Sequence, residues 1–319
     1  MTCFFAGGEM GAYTPSDGGV QEFTSPDLYD PAYARCAMGF AGGPGEFALS
    51  GLHGYGSDYW WHGVSYCVAA PDAEENPLIS FYSAGTEVFR VTASGTLGSA
   101  TTIKMYYWSG SGFVLIGGAG FTISKAVLNT LDFHLNSTTA EAYCNGTLRA
   151  SGTATMTAVA NIDRHSLLQP NGAYAWSEMI VADQPTITYR LKTLPITANG
   201  TNTDWTGSYT DVDEIIYNDG TFISEATANK VSTFAIGAPT ITGTVQALVV
   251  TSRTNAAPGG PQHVELAVKS GATTYFSASQ ALGLGYSANV AVWMTDPNGS
   301  APWTPTTANA VEYGVKSIA

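Results

Sequence analysis

The sequence predicts an all-β protein built as two successive β-sandwich domains, and three features predict it. Runs rich in β-branched and aromatic residues recur at short spacing, each closed by Gly, Pro, Asn or Ser. No stretch of helical length carries a 3.6-residue apolar period. A strand-like segment over 176–182 breaks at Asp183-Gln184-Pro185, runs extended to Leu194-Pro195 and turns at Asn199-Gly200 before a new patterned region opens at Asp204-Trp205. The two prolines remove ladder donors and bias their preceding residues away from helix. The expected division is a first sandwich over 1–185, a connector over 186–204 and a second, jelly-roll-like sandwich over 205–319.

Taken in order, residues 1–75 are interrupted by Gly18-Gly19, Asp30-Pro31 and Gly42-Gly43-Pro44-Gly45, yet they are dense in aromatic rings. Disordered segments are poor in rings, so ordered loops and short strands are expected here. Asp58-Tyr59-Trp60-Trp61-His62 is the densest point. Its rings serve the core of a strand, or they form an exposed platform for sugar or a neighbouring subunit. On the second reading, Tyr59, Trp60, Trp61 and His62, with loop residues Trp108 and Trp303, are the candidate binding surface.

Hairpins follow. Runs over 78–83 and 87–92 flank Ala84-Gly85-Thr86, and runs over 102–108 and 113–116 flank Ser109-Gly110-Ser111-Gly112. Gly117-Gly118-Ala119-Gly120 turns into Phe121-Thr122-Ile123 rather than a helix, so it reads as a hairpin loop and not as a phosphate cradle. Leu131, Phe133 and Leu135 alternate with Asp132 and His134, which implies one buried and one wet face. Asn145-Gly146 suits a type I′ turn, where both central residues need positive φ. In the second half, strands are expected over 212–217, 221–223, 231–236 and 244–253, with a helical turn over 225–230. Residues 256–261 read as a hairpin loop into a strand carrying Val264, Leu266 and Val268, and closing strands lie over 289–294 and 311–315.

Composition narrows the function. Only 12% of residues are charged, about half the usual roughly 25%. A surface covered by Ser, Thr, Asn and Gly suits a chain partly buried in an assembly. The net charge of −13 argues against nucleic acid, whose binding rests on Lys and Arg neutralising phosphates. No apolar run approaches the roughly 18–20 residues of a membrane span. Cys3, Cys36, Cys67 and Cys144 have no C-x-x-C spacing. The opening Met1-Thr2-Cys3-Phe4-Phe5 lacks the basic region and long apolar core of a secretory signal. Synthesis in the cytoplasm and four free, mostly buried thiols are expected.

Catalytic patterns are missing. His53, His62, His134, His165 and His263 show no H-E-x-x-H or other tight metal spacing, and there is no G-x-S-x-G elbow or Walker loop. Glu74-Glu75 and the Asp211, Asp213, Glu214 cluster are the only paired carboxylates of note. The expectation is a protein that is not an enzyme, with no cofactor and no metal.

One resemblance adds to this. Ser177-Glu178-Met179-Ile180-Val181-Ala182-Asp183, then Arg190-Leu191-Lys192-Thr193-Leu194, then Asn202-Thr203-Asp204-Trp205-Thr206-Gly207 resemble the middle of a family of tailed-bacteriophage and prophage structural proteins. The resemblance implies a laminin-G/concanavalin-like sandwich followed by a second β domain, and it carries over no catalytic residue. It implies a structural protein on the outside of a phage or phage-like virion, at the tail tip or fibre ahead of a head decoration or spike. Such a chain would be assembled in the bacterial cytoplasm, with a trimer among the candidate oligomers, alongside other virion proteins. The alternative reading is an adhesin that binds a host receptor or surface glycan.

Overall fold

The computed structural model describes residues 3–7, 14–15, 20–40, 46–49, 58–67, 75–95, 100–156, 162–168, 174–216, 218–237 and 241–319. His53, Glu74, Tyr217 and the Gly-rich stretches at 18–19 and 42–45 lie outside them. The chain forms two compact units, Met1–Lys192 and Thr193–Ala319.

Unit 1 contains β1 (Cys3–Gly7), β2 (Thr14–Pro15), β3 (Val20–Phe23), β4 (Ala37–Phe40) and β5 (Glu46–Leu49). Next come β6 (Asp58–Cys67), β7 (Asn76–Ser83), β8 (Thr86–Ser94), β9 (Thr101–Trp108) and β10 (Phe113–Ile123). β11 (Leu128–Asn136), β12 (Thr139–Cys144), β13 (Thr147–Thr153), β14 (Arg164–Leu168) and β15 (Tyr174–Ala182) complete it. They make two antiparallel sheets. The first runs β13-β12-β11-β6-β15-β4-β3, with β1 also on β15; the second runs β10-β9-β8-β7-β14-β5-β2. The architecture is a concanavalin-like sandwich.

Period-2 patterning makes the core. Along β6, Tyr59 and Trp61 point between the sheets, where Tyr59 meets Phe81 of β7 edge-on at 5.6 Å and Trp61 meets Trp176 at 5.7 Å. Phe5, Trp61 and Phe81 surround His165. With no polar compensation, burial holds the His165 ring neutral and pulls its pKa down to about 3. All four cysteines are buried and stand outside any disulfide; burial pushes the Cys3 thiol up to about 12.

The hairpins form where turn chemistry places them. Ala84-Gly85 and Asn145-Gly146 both take positive φ at each centre, as a type I′ turn requires. Gly117 to Gly120 instead lies inside β10, as an irregularity in its pairing with β9. There the edges of the two sheets meet: a Cβ on Gly152 would lie 2.9 Å from the Gly117 amide nitrogen and from Ile116 Cγ2. The small residues let two backbones close that side of the sandwich.

The outer face of the first sheet is covered. Tyr29, Ala34 and Ala37 pack with Ala175 and Tyr66 over one part of it. The segment 183–192, which overlaps the start of the expected 186–204 connector, lies across another part and belongs to unit 1. Thr186 donates to Asp132 Oδ1 at 2.7 Å, and His62 Nδ1 contacts the same oxygen at 2.8 Å. Asp132 was expected to face water; this cover leaves it 0% exposed. Arg190 forks onto Glu178 at 2.7 and 2.6 Å, reaches Asp30 at 3.0 Å and stacks on Tyr33 at 3.6 Å. Glu178 sits fully buried in a left-handed conformation, φ 57°, at the irregularity where β15 leaves register with β6. The strained backbone aims its carboxylate at the guanidinium.

Unit 2 is a smaller sandwich. β16 (Ile196–Thr203), β17 (Val231–Ile236), β25 (Glu312–Ile318), β19 (His263–Ser270) and β20 (Thr273–Phe276) lie side by side, with β21 (Gln280–Ala281) also on β19. β18 (Leu248–Thr254) pairs with β22 (Ser287–Trp293), and β23 (Thr295–Asp296) with β24 (Ala301–Pro302). Leu248 and Val250 face Val264, Leu266, Val268 and Val315 across the core. Residues 256–261 therefore cross between sheets, where a hairpin loop was expected, because β18 takes β22 as its partner. Among the described residues, 212–216 and 221–223 are bends and irregular chain where strands were expected over 212–217 and 221–223, and the expected helical turn over 225–230 does not form. A short helix, α1 (Pro305–Ala308), is capped by Thr304. Glu312 is desolvated, which alone would raise its pKa. The Thr201 hydroxyl and amide, the Thr233 hydroxyl and the Lys269 amine outweigh that and hold it down to about 2.

Candidate saccharide-binding face

The second sheet of unit 1 ends in an open face on β8, β9 and β10. Along β9, Thr101, Ile103 and Met105 are buried, while Thr102, Lys104 and Tyr106 are half-buried and Trp108 is exposed. Cross-strand register sets Arg90 and Leu115 beside Tyr106, and Phe113 beside Trp108. Trp108 is 37% exposed and Leu115 40%. The Trp108 and Phe113 rings meet edge-on at 5.3 Å, and the Arg90 guanidinium lies 3.6 Å from the Phe113 ring centre. The result is a solvent-facing row of rings held by neighbours on three strands.

The charges of this face are matched. Arg90 Nε donates to Glu87 Oε1 at 3.0 Å and Nη2 to Glu87 Oε2, while Ser80 donates to Glu87 at 2.5 Å. Lys104 donates to Glu75 Oε2 at 2.7 Å and Thr92 to Glu75 Oε1 at 2.6 Å. Partial burial would raise the Glu75 pKa, but bonds from Lys104, Thr92 and Tyr106 outweigh it and leave it below the usual carboxylate value. Burial, then the bond to Glu75, pushes the Tyr106 phenol up to about 12. Both carboxylates are fixed acceptors and both cations fixed donors, which suits the orientation of a polyhydroxylated ligand.

Of the six residues named from sequence, this face holds one, Trp108. The platform expected at Tyr59 to His62 does not exist. Tyr59, Trp61 and His62 are 0% exposed and Trp60 6%. Tyr59 and Trp61 point into the core; Trp60 and His62 point to the outer face, under cover. Trp60 stacks on His134 at 4.3 Å. Trp303 is also buried, in the core of unit 2, where its indole N–H donates to the Trp293 carbonyl at 2.8 Å. Sequence reading missed Phe113, Tyr106, Arg90, Lys104, Glu75 and Glu87. The available signal was the alternation Thr102, Lys104, Tyr106, Trp108 against Ile103 and Met105.

A second polar cluster borders Trp60. His134 lies between Glu141 and Asp58, 3.1 Å from each, and Tyr143 donates to Glu141 at 2.9 Å. Burial, then that bond, pushes the Tyr143 phenol up to about 12. Its rings stack on one another and leave less flat aromatic surface free than the Trp108 row. Among the described residues no group of three or more His, Cys, Asp or Glu side chains could hold a metal ion, and no helix is long and apolar enough to cross a membrane.

Unit 1 is thus an antiparallel β-sandwich with an open aromatic strand face. No family model matches the chain, and no curated relative matches it. Among solved structures, the chain is similar to the globular domain of T. cruzi calreticulin, at 8% identity and TM-score 0.44 over 58% of this chain and 89% of that one. It is similar to the CBM2 module of the evolved Dit of Lactobacillus casei BL23 phage J-1, at 7% identity and TM-score 0.36 over 52% and 90%. A third is an alginate lyase from Pseudomonas aeruginosa, at 10% identity and TM-score 0.36 over 51% and 86%. The expectation that the chain is not an enzyme is corrected by this set. The β-sandwich fold is common to binding modules and to enzymes, and a lack of sequence motifs does not separate them.

Proposed function

We propose that the chain is a polysaccharide-binding adhesin whose unit 1 takes a saccharide on the β8–β10 face. The observation that carries this reading is the exposed Trp108 ring, braced by Phe113 and Arg90 and bordered by matched charged groups. A pyranose has an apolar C–H face and a rim of hydroxyls. A flat ring beside oriented donors and acceptors meets both, and bracing lowers the entropy lost on binding. The resemblance read in the sequence supports a setting on the outside of a tailed-phage or phage-like particle, beside copies of the chain and other virion proteins. Within that setting, tail tip or fibre stands ahead of head decoration or spike.

Glycan-array and whole-cell binding test the reading. The expected result is carbohydrate-dependent binding that Trp108→Ala weakens by about tenfold or more, on the scale of losing one central aromatic contact. Binding to neither arrays nor bacterial cells sinks it.

A further inference from the structure

We infer that the β8–β10 face selects uncharged saccharides over acidic ones, and that Glu75 and Glu87 set this choice. The inference rests on the saccharide-binding reading and adds the chemical class of the ligand.

The face carries two cations, Arg90 and Lys104, and each is already held by a carboxylate of its own. Each carboxylate is fixed in turn by a hydroxyl, Ser80 on Glu87 and Thr92 on Glu75. Recognition of a uronate, sialate or sulfate requires a cation whose charge is free to turn toward the ligand. Here an incoming anion would set a third negative group against two positive ones. It would also have to strip Lys104 or Arg90 from partners only partly open to water; the side chains of Lys104 and Glu75 are 26% and 28% exposed, and those of Arg90 and Glu87 27% and 18%. Arg164 lies outside the β8–β10 face, on β14 two strands from Arg90, with its guanidinium over the Tyr82 ring at 3.8 Å. The net charge of −13 repels polyanions at longer range. An uncharged chain meets none of these costs. Its hydroxyls add bonds to groups that stay paired, and its C–H faces lie on Trp108.

The roles are separable by substitution. Glu75→Gln frees the Lys104 charge and Glu87→Gln frees that of Arg90, while each side chain keeps its shape and an acceptor oxygen. The full-length protein and the double variant are titrated against immobilised neutral glucans, galactans and mannans and against polygalacturonate, in about 20 mM and about 500 mM salt. The wild type is expected to bind a neutral polymer, with less than about a twofold change between the two salts. The double variant is expected to gain about tenfold or more on polygalacturonate at low salt, a gain that high salt abolishes. Each single variant, checked for an unchanged thermal melt, should give part of that gain, so a misfolded double variant does not decide the matter. Wild-type preference for polygalacturonate, or no gain in any folded variant, overturns the inference and leaves the saccharide-binding reading standing. Wild-type binding to no carbohydrate removes both.

Discussion

Trp60 and Trp108 both belong to outer faces of the unit 1 sandwich, one on each sheet, and they have opposite surroundings. Trp60 is 6% exposed, stacked on His134 with Tyr143 at 5.8 Å. Its sheet is roofed by the segment 183–192 and by the packing around Tyr29. Trp108 is 37% exposed, on a sheet end that stays open. The two residues have the same chemistry and similar strand positions. What separates them is cover: Trp60 lies against the His134 and Tyr143 rings on a sheet that carries chain from elsewhere in the sequence, and Trp108 keeps its outer side open. Ring density along a strand therefore locates material for a site, and cover decides whether that material binds or packs.

The largest effect should come from breaking the roofed side. Trp60→Ala is expected to cost about 3–5 kcal/mol, the range for truncating a buried aromatic. Trp108→Ala should cost less than about 1 kcal/mol, as an exposed side chain does. Urea unfolding of both variants measures the contrast, and equal losses would erase the distinction between the faces. Next, Arg190→Ala leaves the Glu178 carboxylate buried without its partner and should cost about 3–5 kcal/mol; a loss below about 1 kcal/mol would mean that the roof lies loosely on the sheet.

The layer between the sheets supplies a pH test. Burial holds the His165 pKa down to about 3 in the folded protein against an ordinary imidazole value of about 6.5, so the unfolded chain binds the extra proton between those values. Stability is fully present above about pH 6.5 and falls as pH drops toward 3. The loss is on the order of 3 kcal/mol between pH 7 and pH 4. Urea midpoints across that range, with His165→Phe as the flattened control, give the slope. A variant with the same slope as the wild type would assign the acid sensitivity to other groups.

Much of unit 1 was legible because its hairpins are local. Asn145-Gly146 states its turn type, Ala84-Gly85-Thr86 marks a short hairpin loop, and Leu131, Phe133 and Leu135 state which way β11 faces. Asp132 shows where this stops. Its alternation implies a wet position, but Thr186, 54 residues away, lies on it. β15, buried in all nine residues, lacks the alternation that would announce a face. In unit 2, β18 pairs with β22 across more than thirty residues of chain, and loop residues 256–261 carry no sign of that choice. The candidate face was half readable. Trp108 stands beside an obvious loop, and Tyr106 and Lys104 follow it with period 2. Glu75 and Glu87 join through pairing on neighbouring strands.

The Arg190 fork has a mechanical side. Any tension applied to the chain beyond Thr193 enters unit 1 through Lys192, two residues past the guanidinium. It meets the two hydrogen bonds to Glu178 and the one to Asp30 before it reaches the Thr186 hydroxyl or the ladder of β15. A pull on the chain would thus be resisted first by side chains that can let go and re-form, and the sheet behind them would be spared.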